Sequence, residues 1–497
     1  MPLSRRRFLE AVALAATAVP LGACAGAHRV TTIGTASFDR PLPIPPVAPA
    51  RHAADGARVF DLTARVGQRT FRPGRVTETW GYNGDYLGPT LRAARGERVR
   101  INVHNALPET TSVHWHGMHL PAAADGGPHQ PVEPGRTWSP SWTIDQPATT
   151  LWYHPHPHGR TEKHVYRGLA GLFIVDDQPA EVLDLPGTYG VDDIPVIIQD
   201  KRFHDDGSFD ESDHRPTGLL GDTLLVNGVV TPHLVVTSRL VRLRLLNAST
   251  ARIYRLGFAD DRSFTLIGTD GGLLARPHEM DRIQLSPAER AEIVVRMRPA
   301  DHVELHSYPP RLGTPHDVTT EVGGLDSFGV LELRGARSLT ASPPIPAVLA
   351  DVPRLEPADA GTARTFWLAG RRINGKKMDM DRIDDVVAAG STETWEVTNL
   401  DELPHNFHIH GVQFQALTVD RAPPPPPLTG WKDTIYLPPR VPTQLIMRFA
   451  EYTDPAMPYM YHCHLLFHED TGMMGQYVTV EPGQQPNTSV GPPHHHH

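Results

Sequence analysis

Short runs of alternating residues, closed every few positions by Gly, Pro, Asn or Asp, restrict the fold of this chain more than any other feature. Arg98–Val103 (RVRINV) and Leu240–Leu245 (LVRLRL) place an aliphatic side chain on every second residue. That is the period of a strand with one face buried. Helical spacing is scarce, and the 42 Gly and 49 Pro among 497 residues favour turns over long helices. Regularly spaced short strands predict sandwiches or barrels. The chain also repeats itself. Asn83-Gly84, Asn227-Gly228 and Asn374-Gly375 are turn dipeptides, each followed by a similar strand ending in Asn, as in Leu240–Asn247 and Glu393–Asn399. The expectation is an all-β protein with three copies of one β-sandwich, at residues 46–180, 190–337 and 350–482. Residues 1–45 are read as export signal and linker, and 483–497 as a disordered tail of Pro, Gly, Gln and His.

The formal net charge of −9 argues against a nucleic-acid partner. Two cysteines exclude a disulfide framework, a Cys-rich zinc fold and a Cys-ligated iron–sulfur cluster. The N-terminus has the order of an export signal: Arg5-Arg6-Arg7-Phe8-Leu9, then an Ala-rich apolar stretch too short to span a bilayer. The paired arginines resemble a twin-arginine signal, which places the protein in the periplasm or cell envelope. Leu21-Gly22-Ala23-Cys24 resembles a lipoprotein cleavage box, with Cys24 as the lipid-bearing residue.

Histidine is the other anomaly: there are 28, of which His494–His497 close the chain. Ten more fall in four tight groups, all in the first and third expected domains: His114-Trp115-His116, His154-Pro155-His156, His405 with His408 and His410, and His462-Cys463-His464 with His468. Residues i and i+2 of a strand share a face, so each His-x-His pair aims two imidazoles the same way. Four converging pairs offer eight nitrogen ligands, a set that suits copper, zinc, iron or nickel. Parity separates a second site. Cys463 points away from His462 and His464, and His405 is an odd number of residues from His408 and His410. Cys463 and His405, with His468 and Met473 in the following loop, make a His₂Cys set with a weak axial Met, the ligand chemistry of an electron-transfer copper. The backbone from Cys463 to its flanking histidines then joins the two sites by a short electron path. His119, His129, His158 and His164 lie near the motifs without assigned partners, and His302, His306 and His316 are read as surface residues.

These motifs resemble those of the three-domain multicopper oxidases, most closely the bacterial laccase and copper-efflux oxidase branch. The likeness extends to Gly168–Leu172 (GLAGL), Asp222–Leu225 (DTLL), Arg242–Asn247 (RLRLLN), Asp270–Leu274 (DGGLL) and, most specifically, His462–Met474 (HCHLLFHEDTGMM). It implies three cupredoxin-like Greek-key sandwiches and four coppers per chain. His405, Cys463, His468 and Met473 look like type 1 ligands, and His114 and His408 like type 2 ligands. His116, His154, His156, His410, His462 and His464 look like ligands of the type 3 pair. The implied activity takes single electrons at type 1 copper and reduces O₂ to water at the three-copper cluster. Asp125 and Glu469 match acids that deliver protons there; the structural alternatives are a turn role for Asp125 and hydrogen bonding for Glu469. The second domain carries no ligand motif and is read as a spacer.

For the reductant, no methionine lies between Gly335 and Phe366, where copper-efflux oxidases carry a Met-rich insertion. Asp401 matches a carboxylate of their substrate copper site, but Leu403 stands where they carry Met. The reading is a laccase-like monomeric enzyme for phenols and aromatic amines, with an open type 1 edge at His468. A cuprous oxidase acting on Cu(I), and a relative of the copper-free cell-division proteins acting as a scaffold, are the alternatives.

Overall fold

The computed structural model describes residues 29–449, 451–487 and 490. The arginines of the signal, Cys24 and His494–His497 lie outside the described residues. Regular structure is almost entirely strand, in three successive two-sheet sandwiches. The first packs a six-stranded sheet on a four-stranded one between Arg51–His52 and Gly171–Asp176. The second packs seven strands on five between Asp193–Lys201 and Phe328–Thr340. The third packs five on five between Thr362–Ala369 and Met474–Val480. The alternation read in the sequence is the reason: along Arg98–Ala106 the even turns of the pleat bury Val99, Ile101, Val103 and Asn105, and the others face outward.

The sandwiches repeat one topology. In each, the first long strand pairs in parallel with a later one: Arg58–Arg72 with Arg98–Ala106, Asp193–Lys201 with Leu240–Asn247, and Thr362–Ala369 with Thr392–Asn399. In each, a strand of the second sheet pairs in parallel with the last strand. The asparagines explain why the motif recurs. Asn83, Asn227 and Asn374 hold φ of 56°, 49° and 50°, left-handed turn positions that Asn tolerates. Asn105, Asn247 and Asn399 each donate twice from Nδ2 to carbonyls on two separate segments and accept a backbone N–H two residues on. Each one ties a strand end to the loop that follows it.

Each sandwich has its own apolar core. Residues 29–45, expected as linker, pack along the second sandwich instead. Thr31 and Pro41 bridge Ser327 and His233 there, and Phe38 and Leu42 are buried. Among the described residues no helix is long and apolar enough to cross a membrane.

Candidate metal centre

Eight imidazoles meet at the seam between the first and third sandwiches, and all are buried. His114–His116 pairs antiparallel with Thr149–His154, so the first sandwich presents its four histidines from adjacent strands and the turn after them. His405–Ile409 pairs with Asp454–His462 in the third sandwich. The nitrogens sort into three groups. His408 Nε2 faces His114 Nε2 at 3.5 Å. His154 Nε2 lies 3.3 Å from His116 Nδ1 and 3.4 Å from His464 Nε2. His462 Nε2 lies 3.2 Å from His156 Nε2 and 3.1 Å from His410 Nε2. Two stacks cross the seam, His114 on His410 with ring centres 3.8 Å apart and His116 on His408 at 3.7 Å.

The second group lies within the third sandwich. His405 Nδ1 and His468 Nδ1 are 3.0 Å apart, and Cys463 Sγ is 3.5 and 3.6 Å from them. Met473 is fully buried beside them; its N–H donates to the His468 carbonyl and its carbonyl accepts from the Cys463 N–H. The structure thus brings together the two facing sets that strand parity separates.

Family models described as multicopper oxidase match residues 63–180 and 348–483. The chain belongs to the multicopper oxidase family. Its relatives carry more than one description. The cell division protein FtsP of Escherichia coli K12 is 37% identical over 486 residues, 96% of this chain and 98% of that protein. The multicopper oxidase mco of Staphylococcus aureus is 36% identical, over 88% of this chain and 91% of that one. A laccase from Pediococcus acidilactici superposes with a TM-score of 0.81 at 36% identity, covering 90% of this chain and 95% of that one.

In this member of the multicopper oxidase family the second nitrogen of most of the clustered imidazoles is occupied, which fixes the ring and its tautomer, while the Nδ1 atoms of His156 and His464 have no hydrogen-bond partner. His114, His154 and His408 donate from Nδ1 to the carbonyls of Asp125, Pro155 and Asp433. His410 donates from Nδ1 to Asp125 Oδ2 at 2.7 Å. Glu469 sets its oxygens 3.4 Å from His156 Nδ1 and 3.1 Å from His462 Nδ1. His405 Nε2 donates to Asp401 Oδ2 at 3.0 Å. The inward nitrogens therefore carry lone pairs that face one another. Burial first, and then mutual repulsion, holds His114, His408, His410 and His464 far below the ordinary imidazole range. His154 falls to about 3, by burial and then by repulsion from His156. Neutral imidazoles with converging lone pairs fit a soft or borderline cation, and imidazole with thiolate fits copper. Burial pushes the Cys463 thiol up to about 12, so a metal must displace its proton to bind there.

The two acids differ. Asp125 Oδ1 has no hydrogen-bond partner, and burial drives its carboxyl well above the usual range. Burial pushes Glu469 up as well, but the facing His156 and His462 outweigh it and hold that carboxyl below its usual range.

Several functional residues gave no sequence signal. Asp433 is fully buried; its Oδ1 accepts from His116 Nε2 at 3.0 Å, and its Oδ2 pairs with Arg290 at 2.6 Å. Arg290 belongs to the second sandwich, so the expected spacer braces the cluster. Asn406 accepts from the His464 N–H and donates to Ser286 Oγ and the Pro287 carbonyl, again in the second sandwich. Only the position of Asn406 inside the His405–His410 motif hinted at it.

Three expectations fail. His468 is 0% exposed, and its Nε2 donates to the Pro216 carbonyl at 2.9 Å, so the open edge is absent. His306 is buried rather than on the surface, with Nε2 on Glu304. His164 and His129 have partners: His164 bonds Glu109 and Thr111, and His129 bonds Gln476. His158 is exposed and takes no part in the cluster.

Proposed function

We propose that the chain is a laccase-like multicopper oxidase that takes single electrons from phenols or aromatic amines and reduces O₂ to water. In this reading His405, Cys463, His468 and Met473 hold type 1 copper. His114 and His408 hold type 2 copper, and the remaining six histidines hold the type 3 pair, giving four coppers per chain. When bound, copper supplies the one-electron chemistry that adds four electrons and four protons to O₂ and releases two waters. The protein's part is positional. The backbone between Cys463 and His462 or His464 gives the electron a short covalent route. Asp125, anchored on His410 with one oxygen free, and Glu469, between His156 and His462, are placed to hold and pass protons beside the cluster. Asp401, hydrogen-bonded to His405, lies on the donor side.

One observation carries this reading: all eleven His and Cys side chains that copper needs converge in two groups, with most of the rings oriented by hydrogen bonds from behind. The relatives named for cell division favour a second reading, a scaffold without copper. Metal analysis separates the two. Four coppers per chain with blue absorption support the oxidase, and about zero copper after loading leaves the scaffold. Oxygen uptake with a phenol against Cu(I) then separates a laccase from a cuprous oxidase. Export by the twin-arginine route to the periplasm or cell envelope, with a lipid on Cys24, belongs to the same proposal; the intact mass of the mature protein tests it.

A further inference from the structure

In a blue-copper site the ring edge of the outer histidine is the shortest way in for an electron. Here that edge is closed by another domain. A two-stranded hairpin of the second sandwich, His214–Arg215 paired with Gly218–Leu219, turns at Pro216-Thr217 directly over His468. The Pro216 carbonyl takes the His468 Nε2 proton at 2.9 Å. The hairpin is itself pinned by Glu162 of the first sandwich, a buried carboxylate in the helix Thr161–Tyr166. Glu162 Oε2 accepts from His214 Nε2 at 2.8 Å, and Oε1 accepts from the Leu219 N–H at 2.9 Å. One carboxylate thus grips both strands. The helix is anchored in turn, since the Thr161 and Glu162 N–H groups each donate to Asp470, two residues beyond His468, at 2.9 Å. Contacts close on all sides. The His214 ring lies 4.7 Å from the Phe467 ring, and the Arg371 guanidinium lies 4.3 Å over the Phe467 ring. Gly218 holds φ +126°, and a Cβ there would stand 2.6 Å from Glu162 Oε1 and 3.0 Å from Phe467 Cβ, so the close fit requires glycine.

We infer that this hairpin, held by Glu162 and His214, is a specificity determinant. It keeps bulky, rigid aromatic donors off the His468 edge and so restricts the enzyme to small donors. The inference rests on the oxidase reading and narrows its substrate class. Pro216 is a positioning residue, acting through the His468 ring, and Glu162 and His214 act through the hairpin.

The test uses the full copper-loaded protein with Glu162→Ala and, as the milder change, His214→Ala. Amide hydrogen exchange over residues 212–221 reports whether the hairpin is released. The ratio of kcat/KM for a 2,6-disubstituted phenol to that for hydroquinone reports selectivity. Exchange should speed up in both variants, and the ratio should rise about fivefold or more, the scale of one lost steric contact. A released hairpin with an unchanged ratio overturns the inference. Unchanged exchange overturns the anchoring by Glu162 and His214, and with it the inference. Failure of the oxidase reading itself looks different: the parent would lack blue absorption, while the exchange measurement would still report on the anchoring.

Discussion

The His405–Cys463–His468 group is drawn from one sandwich, whereas the eight-histidine group is divided between two that share no sheet. The first takes all its side chains from the third domain, from His405–Ile409 against Asp454–His462 and the loop to Met473, although the Pro216 carbonyl of the second sandwich orients the His468 ring. The second exists only while the first and third sandwiches stay docked, and docking relies on buried charge. Arg290 of the second sandwich reaches Asp433, which reaches His116 and, through its carbonyl, His408. Nearby, Lys432 pairs with Asp270 and Glu289, also of the second sandwich. A site inside one domain inherits that domain's stability. A site at a seam has to be braced from outside, and the domain without ligands supplies the brace.

The sharpest way to break this contrast is at Cys463, whose backbone neighbours His462 and His464 belong to the other group. Cys463→Ser should abolish both the blue absorption and oxygen consumption; a variant that stays blue would remove Cys463 from the ligand set. Next comes the brace. Arg290→Met leaves Asp433 buried without its cation, at a cost of about 3–5 kcal/mol in stability. Copper bound by the eight histidines should fall while the blue band persists, as read by metal analysis and visible spectra. Equal loss from both centres would mean that the two are not separately held.

Asp125→Asn is gentler. It keeps a group beside His410 but removes the proton donor, so turnover should slow by about 10- to 100-fold with copper content unchanged. Unchanged turnover would leave Asp125 as a turn residue only. The smallest effect concerns the contact between the first and second sandwiches. Lys201 is fully buried, its amine has no hydrogen-bond partner, and it lies 4.2 Å over the Tyr166 ring of the first sandwich. Burial lowers its pKa from 10.5 to about 7. Between those values the unfolded chain binds the proton and the folded chain does not, so the native state gains stability as pH rises through that window. Lys201→Met should therefore raise Tm by a few degrees at pH 7 and by less at pH 10, measured by thermal melts. An equal gain at both would mean that the amine stays charged when folded.

Much of this was legible in the chain. Strand period two was enough to set Cys463 and His405 apart from the other histidines, because facing is a local property of the backbone. The threefold Asn pattern was legible for the same reason. Asp433 was not, since it meets His116 across 317 residues and nothing local distinguishes it from a turn residue. The covered edge of His468 was missed because the cover comes from another domain: no pattern within His462–Met474 reveals a carbonyl at Pro216. Alternation along His302–Tyr308 would put His306 on the outward face with His302, but the pairing shifts register between Leu305 and His306, and the irregularity buries it.

The two imidazole stacks across the seam have a mechanical consequence. One ring of each pair belongs to the first sandwich and the other to the third, so a shift of one sandwich past its neighbour moves His114 off His410 and His116 off His408 together and carries the facing nitrogens out of line.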